Sequence, residues 1–183
     1  MRVTYKNILL IILALITLTS IFTYSETTRK YLNIKYTELT TDTQKQIDCR
    51  AQNIYYEAGY EPVEGRVAVA LVTLNRVNDQ RFPKDICGVV KQKTTSVCQF
   101  SWFCSTPKIS NKTAYDESLQ TALWVYANYE ILEDITKGAI YYHADYVNPR
   151  WKLEKTTQIG RHIFYKDYNN DAKTESRNKG RAI

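Results

Sequence analysis

The chain has only two histidines, His143 and His162, and no His-Glu-x-x-His. A zinc amidase or peptidase would have to take Asp145 as its third ligand, and His143 with Asp145 on one strand is a poor match to zinc-ligand spacing. This argues against a metal-dependent hydrolase, and neither metal nor cofactor is expected. Cys49, Cys87, Cys98 and Cys104 contain no close Cys-x-x-Cys pair, so thiolate metal ligation is disfavoured as well. No basic stripe interleaved with aromatics runs through the body of the chain, which sets aside nucleic-acid binding. There is no internal repeat. The one long apolar run, Ile8 to Phe22, is about 15 residues, short of the roughly 20 that span a bilayer comfortably.

What is present is enough apolar material for one domain with a core: 183 residues, 44% apolar. Fifteen Tyr and three Trp give many side chains with apolar bodies and polar tips, suited equally to sugar grooves and to cores. The formal charge of +6 owes much to the two ends, and favours adsorption to an anionic polymer or membrane face. Arg2 and Lys6 precede the apolar run, so residues 1–25 read as an export signal or a membrane anchor. Thr23 and Ser25 supply small residues before a cut, but no Ala-x-Ala is present, which favours a retained anchor. With either outcome the body is expected outside the cytoplasm, anchored facing the wall or secreted, where the four cysteines form disulfides. Three pairings are open.

Residues 26–40 are polar without period and read as a linker, and the domain is expected over 41–166. A first helix is predicted from Thr43 with Gln46, or Thr41 with Gln44, as a capping box, with Ile47, Ala51, Ile54, Tyr55 and Ala58 on one face. Pro62 opens a second helix, apolar on both sides through Val67, Val69, Ala70, Leu71 and Val72, which marks it as central and buried. A short helix is predicted within Lys84–Val90 and a third long one over Lys112–Asp134. Cys98 to Cys104 alternates in polarity and is predicted as a strand or extended loop. Ala139–His143 and Gln158–Tyr165 are expected to pair as small strands. The fold class is therefore mainly α with a small β element, α+β. The segment 167–183 is polar and charged and is expected to be a disordered tail.

Glu57 closes the first helical pattern just before Gly59 and Pro62. A carboxyl there, beside a cleft and among tyrosines, is partly desolvated, which raises its pKa toward the range useful for proton donation. Glycosidic-bond cleavage is the chemistry this suggests. An ordinary two-carboxylate mechanism needs a partner, and Glu64 is the obvious candidate. Pro62 breaks the helix between them, however, and places Glu64 in the first turn of the next helix, where the dipole stabilises an acid regardless of function. Glu61 reads as a surface or capping group. Gln99, Ser101, Tyr142, His143 and Glu64 are the further candidates for the sugar site, with Tyr141, Asn148, Trp151 and His162 behind them. Asn75 and Arg76 end the second helix, as caps or ion-pair partners, or as a polar network behind Glu57.

The ordered motifs Tyr55-Tyr56-Glu57-Ala58, Glu64-Gly65-Arg66-Val67-Ala68-Val69-Ala70, Leu74-Asn75-Arg76-Val77, Phe82-Pro83, Cys87-Gly88-Val89-Val90, Cys98-Gln99-Phe100-Ser101, Tyr142-His143-Ala144-Asp145-Tyr146-Val147, Pro149-Arg150-Trp151 and Ile159-Gly160-Arg161-His162-Ile163-Phe164-Tyr165 together resemble the cell-wall hydrolase family of the SleB/CwlJ type. The resemblance implies a lysozyme-like helical fold, peptidoglycan as substrate, Glu57 as catalytic acid and lytic transglycosylation as the reaction. A muramidase with a second carboxylate is the alternative chemistry, and an anchored wall-binding module the non-enzymatic one. A Cys-His peptidase would need a reduced thiol, against which four exported cysteines argue. One departure stands beside the acid: Gly59-Tyr60 where the family usually has Arg-Gly.

Overall fold

The computed structural model describes residues 34–105 and 107–167, together with Tyr5, residues 12–17 and Thr19. The chain divides into two compact units, residues 1–38 and 39–183. In the first, residues 12–17 are helical and Tyr36–Glu38 form one 3-10 turn. Among the described residues no helix is long and apolar enough to cross a membrane. Much of the proposed anchor, including 8–11 and 20–22, and most of the 26–40 linker lie outside the described residues, as does the tail from 168 onward.

The second unit contains five helices among its described residues: α1 (Thr41–Ala58), α2 (Val63–Asn78), α3 (Ile86–Val90), α4 (Ser101–Ser105) and α5 (Lys112–Asn128). Thr40, rather than Thr41 or Thr43, caps α1, its Oγ1 accepting the Thr43 N–H at 3.2 Å. Ile47, Ala51, Ile54 and Ala58 then bury one face, as their spacing requires. Every residue from Val67 to Thr73 of α2 is buried, because α1, α3, α5 and the sheet surround it. The Cys49–Cys87 disulfide ties α1 to α3.

Two of the expectations, for the third long helix and for the Cys98–Cys104 segment, fail for identifiable reasons. α5 stops at Asn128, well before Asp134. Asn128 Nδ2 turns back onto the Trp124 carbonyl at 2.7 Å, and the Asp134 carboxylate organises a turn instead. It accepts from the backbone N–H groups of Thr136 (2.9 Å) and Gly138 (2.7 Å), with Lys137 and Gly138 at positive φ. The segment Cys98–Cys104 is not extended either: Ser101–Ser105 is helical and Cys98 bonds Cys104, Cα atoms 5.8 Å apart. Six residues of strand would separate them by roughly 20 Å, so the bridge and the alternation cannot coexist.

A three-stranded antiparallel sheet completes the fold: β1 (Tyr141–Ala144), β2 (Glu154–Ile159) and β3 (His162–Lys166), in the order β1-β3-β2. Gln158–Tyr165, read as one strand, is a hairpin that turns at Gly160, φ +56°. Tyr142 pairs with Phe164 in register, and Phe164, fully buried, packs on Ala68, Val72 and Ala139. The sheet is thereby fixed against the central helix with Tyr142 facing the end of α1. The architecture is α+β, mostly helical.

Candidate active site

Glu57 occupies the last turn of α1. Across from it Tyr142 of β1 donates its hydroxyl to Glu57 Oε2 at 3.1 Å. Burial pushes the Glu57 carboxyl above its ordinary value, against the lowering pull of the Tyr142 hydrogen bond and the Arg76 charge. Tyr142 is part-buried, and the desolvation of its hydroxyl, with the Glu57 charge beside it, drives it well above its usual 10 and keeps it a donor. Arg76, near the end of α2, reaches the same place; its Nε donates to the Ile140 carbonyl at 2.8 Å.

Two clefts meet at Glu57. One, of ≈ 810 Å³, is lined by Arg76, Gln99, Ser101, Tyr142 and Trp151 among others. The second, of ≈ 430 Å³, is lined by Tyr56, Tyr60, Tyr146, Arg161 and His162 among others. Tyr56 of the smaller cleft is backed by Trp102, whose ring stacks on it at 4.6 Å while the indole N–H donates to Asn53 Oδ1 at 3.2 Å. Asn53 and Trp102 are structural supports that the sequence reading passed over. An amide one helical turn before Glu57, within an apolar stripe, was the available signal.

The candidates separate. Gln99, Ser101, Tyr142, Tyr141 and Trp151 share the larger cleft with Glu57. His162 lines the smaller one, its ring edge-on to Tyr142 at 5.2 Å, and burial lowers its pKa, against the raising pull of Glu61 and Asp145. His143 lines neither. It points to the other face of β1, where Nδ1–H meets the Ala144 carbonyl at 2.8 Å and Nε2 accepts from Tyr165 at 2.9 Å. Asn148 is exposed and outside both clefts. Glu64 lines a separate groove with Val63, Glu117 and Trp124. Two other carboxylates approach the clefts, and both are engaged: Glu61 accepts the Arg161 N–H at 3.0 Å, and Asp167 meets Arg81 at 3.1 Å. Asn75 donates to Asp134, Thr136 and the Ala139 carbonyl, anchoring the turn that leads into β1. Among the described residues no cluster of three His, Cys, Asp or Glu could hold a metal ion.

Residues 60–165 match the cell wall hydrolase family. The chain belongs to that family. The match begins just beyond Glu57. Among curated relatives, the spore cortex-lytic enzyme of Halalkalibacterium halodurans is 33% identical over 131 residues, covering 67% of this chain and 35% of its own length. That of Bacillus subtilis is 32% identical over 124 residues, covering 62% and 35%. The chain thus spans about a third of the length of these relatives. Two solved structures resemble the fold at 30% identity and 67% coverage of this chain. The catalytic domain of the Bacillus cereus SleB protein has a TM-score of 0.51 with 91% of it covered. The catalytic domain of the germination-specific lytic transglycosylase SleB from Bacillus anthracis gives 0.52 with 95%.

Proposed function

We propose that this protein cleaves the glycan strand of peptidoglycan between N-acetylmuramic acid and N-acetylglucosamine, as a lytic transglycosylase with Glu57 as its single catalytic acid. The observation that carries the reading is the placement of Glu57. It is a desolvated carboxyl at the junction of two clefts, held by Tyr142, while Glu61 and Asp167 are occupied and Glu64 faces another groove. Gln99, Ser101, Tyr142 and Trp151 offer the amide, hydroxyl and aromatic partners that sugar rings take, and membership of the cell wall hydrolase family supports the substrate.

Protonated Glu57 donates to the glycosidic oxygen as its bond to the muramyl anomeric carbon breaks, leaving a carboxylate and positive charge on the sugar. The substrate's N-acetyl group helps stabilise that charge. The muramyl C6 hydroxyl, tethered in the same ring, attacks with the proximity advantage that an outside water lacks. Glu57 takes the hydroxyl proton, which restores the acid and releases a 1,6-anhydro end.

The domain is proposed to work outside the cytoplasm, consistent with two disulfides and no free cysteine. Residues 1–25 would retain it at the membrane or direct its secretion, with 26–40 as the tether and 41–166 as the catalytic domain. Mass spectra of muropeptides released from purified sacculi test the reaction. Products ending in 1,6-anhydromuramic acid are expected, each lighter by one water than its hydrolytic counterpart. Reducing muramic ends carrying labelled solvent oxygen would make the enzyme a muramidase, and binding without release would leave a wall-binding module.

A further inference from the structure

Arg76 is only 3% exposed, yet among the described residues no carboxylate hydrogen-bonds to it. Its Nε is spent on the Ile140 carbonyl, its guanidinium lies 5.4 Å from the Phe82 ring centre and 5.1 Å from that of Phe100, and its buried Nη1 has no hydrogen-bond partner. A desolvated cation is costly unless an anion faces it, and a buried donor left unmade adds to the cost. The cleft that Arg76 lines holds two carboxyl groups, Glu57 and Asp167, and Asp167 is already committed to Arg81.

We propose that Arg76 is a positioning residue for Glu57: its free guanidinium edge receives the carboxylate left when Glu57 gives up its proton, so that one buried group serves in turn as acid and base. The proposal rests on the reading of Glu57 as the acid of the reaction. Burial alone favours the protonated carboxyl, which suits a resting acid but opposes release of the proton. Arg76 and the Tyr142 hydroxyl both act against that pull. Other ionisable groups around Glu57 are Tyr55 and Tyr56 of α1, Tyr141 of β1, His162 of β3, Tyr60 and Glu61 beyond α1, and Lys108, Tyr146, Lys152, Arg161 and Asp167 on the cleft walls. None of these cations is as enclosed as Arg76, and surface charges are screened by water.

Two measurements test this on the full chain. In the protein with nitrogen-15-labelled arginine, the Arg76 Nε–H resonance is expected to shift with the same apparent pKa as the carbon-13-labelled Glu57 carboxyl, and to lose that step in Glu57→Gln. A resonance that stays flat through the Glu57 titration overturns the proposal, whether or not glycan is cleaved. On sacculi, Arg76→Met is expected to move the alkaline limb of the pH–rate profile upward and to lower kcat about 10–100-fold, part of what positioned acid–base catalysis contributes. Arg76→Lys, which keeps the charge, is expected to restore the limb. An unchanged limb in folded Arg76→Met also overturns it. Coupled titration in a protein that cuts no glycan would uphold the pairing and refute the reaction, so the two readings fail separately.

Discussion

Burial raises the Glu57 carboxyl above its ordinary 4.5, so across that interval the folded protein holds a proton that the unfolded chain has released. Stability therefore falls as pH rises through the window, and the cost is complete above the native pKa. Glu57→Gln removes the cost. The variant is expected to melt above the wild type at pH 7, to lose that advantage below pH 4, and to cleave sacculi about 10²–10⁴-fold more slowly. Thermal melts at both pH values beside a turnover assay check the three outcomes together, and equal melting at pH 7 would count against a desolvated acid. The place of Glu57 in the last turn of α1 was legible in the sequence because helix period, Gly59 and Pro62 fix where α1 ends. The pairings around it were less so: Tyr142 was a candidate, but its bond to Glu57 crosses 85 residues, and the Trp102–Asn53 bond behind Tyr56 crosses 49, separations that no local pattern spans.

At the level of elements, apolar period located α1 and α2 well, since both bury broad faces that must repeat every turn. It failed where side chains other than apolar ones decide. Asn128 ends α5 by donating its side-chain amide back to the Trp124 carbonyl, Asp134 gathers the Thr136 and Gly138 N–H groups into a turn, and a disulfide curls the Cys98–Cys104 segment that alternation had suggested was straight. The β2–β3 hairpin was hidden for a related reason: Gly160 lies inside a β-rich run whose composition does not change at the turn. Gly160 adopts φ +56°, and a Cβ there would run into Glu61 Oε2, the acceptor of the Arg161 N–H. Gly160→Ala is accordingly expected to cost about 1–2 kcal/mol from backbone conformation alone, and more from displacing Glu61. Urea denaturation measures it, and a variant as stable as wild type would mean that the turn relaxes freely.

For the molecule as a whole, the Cys49–Cys87 bridge closes 38 residues and joins α1, which carries Glu57, to α3. Replacing both cysteines by alanine is expected to destabilise the domain by about 2–4 kcal/mol, read from denaturation without reductant. A smaller loss would show that packing of α3 against α1 and α2 already restrains the unbridged chain. With Glu57 as the proposed acid, its position between two clefts bears on how a whole sacculus would come apart. An acid at the end of a blind pocket trims a polymer from its tips, whereas an acid midway along a groove meets any interior linkage that settles across it. Such cuts would fall at random along each strand. The mesh would lose tension and chain length early, while soluble disaccharide-sized fragments would accumulate only after many cuts had landed near one another.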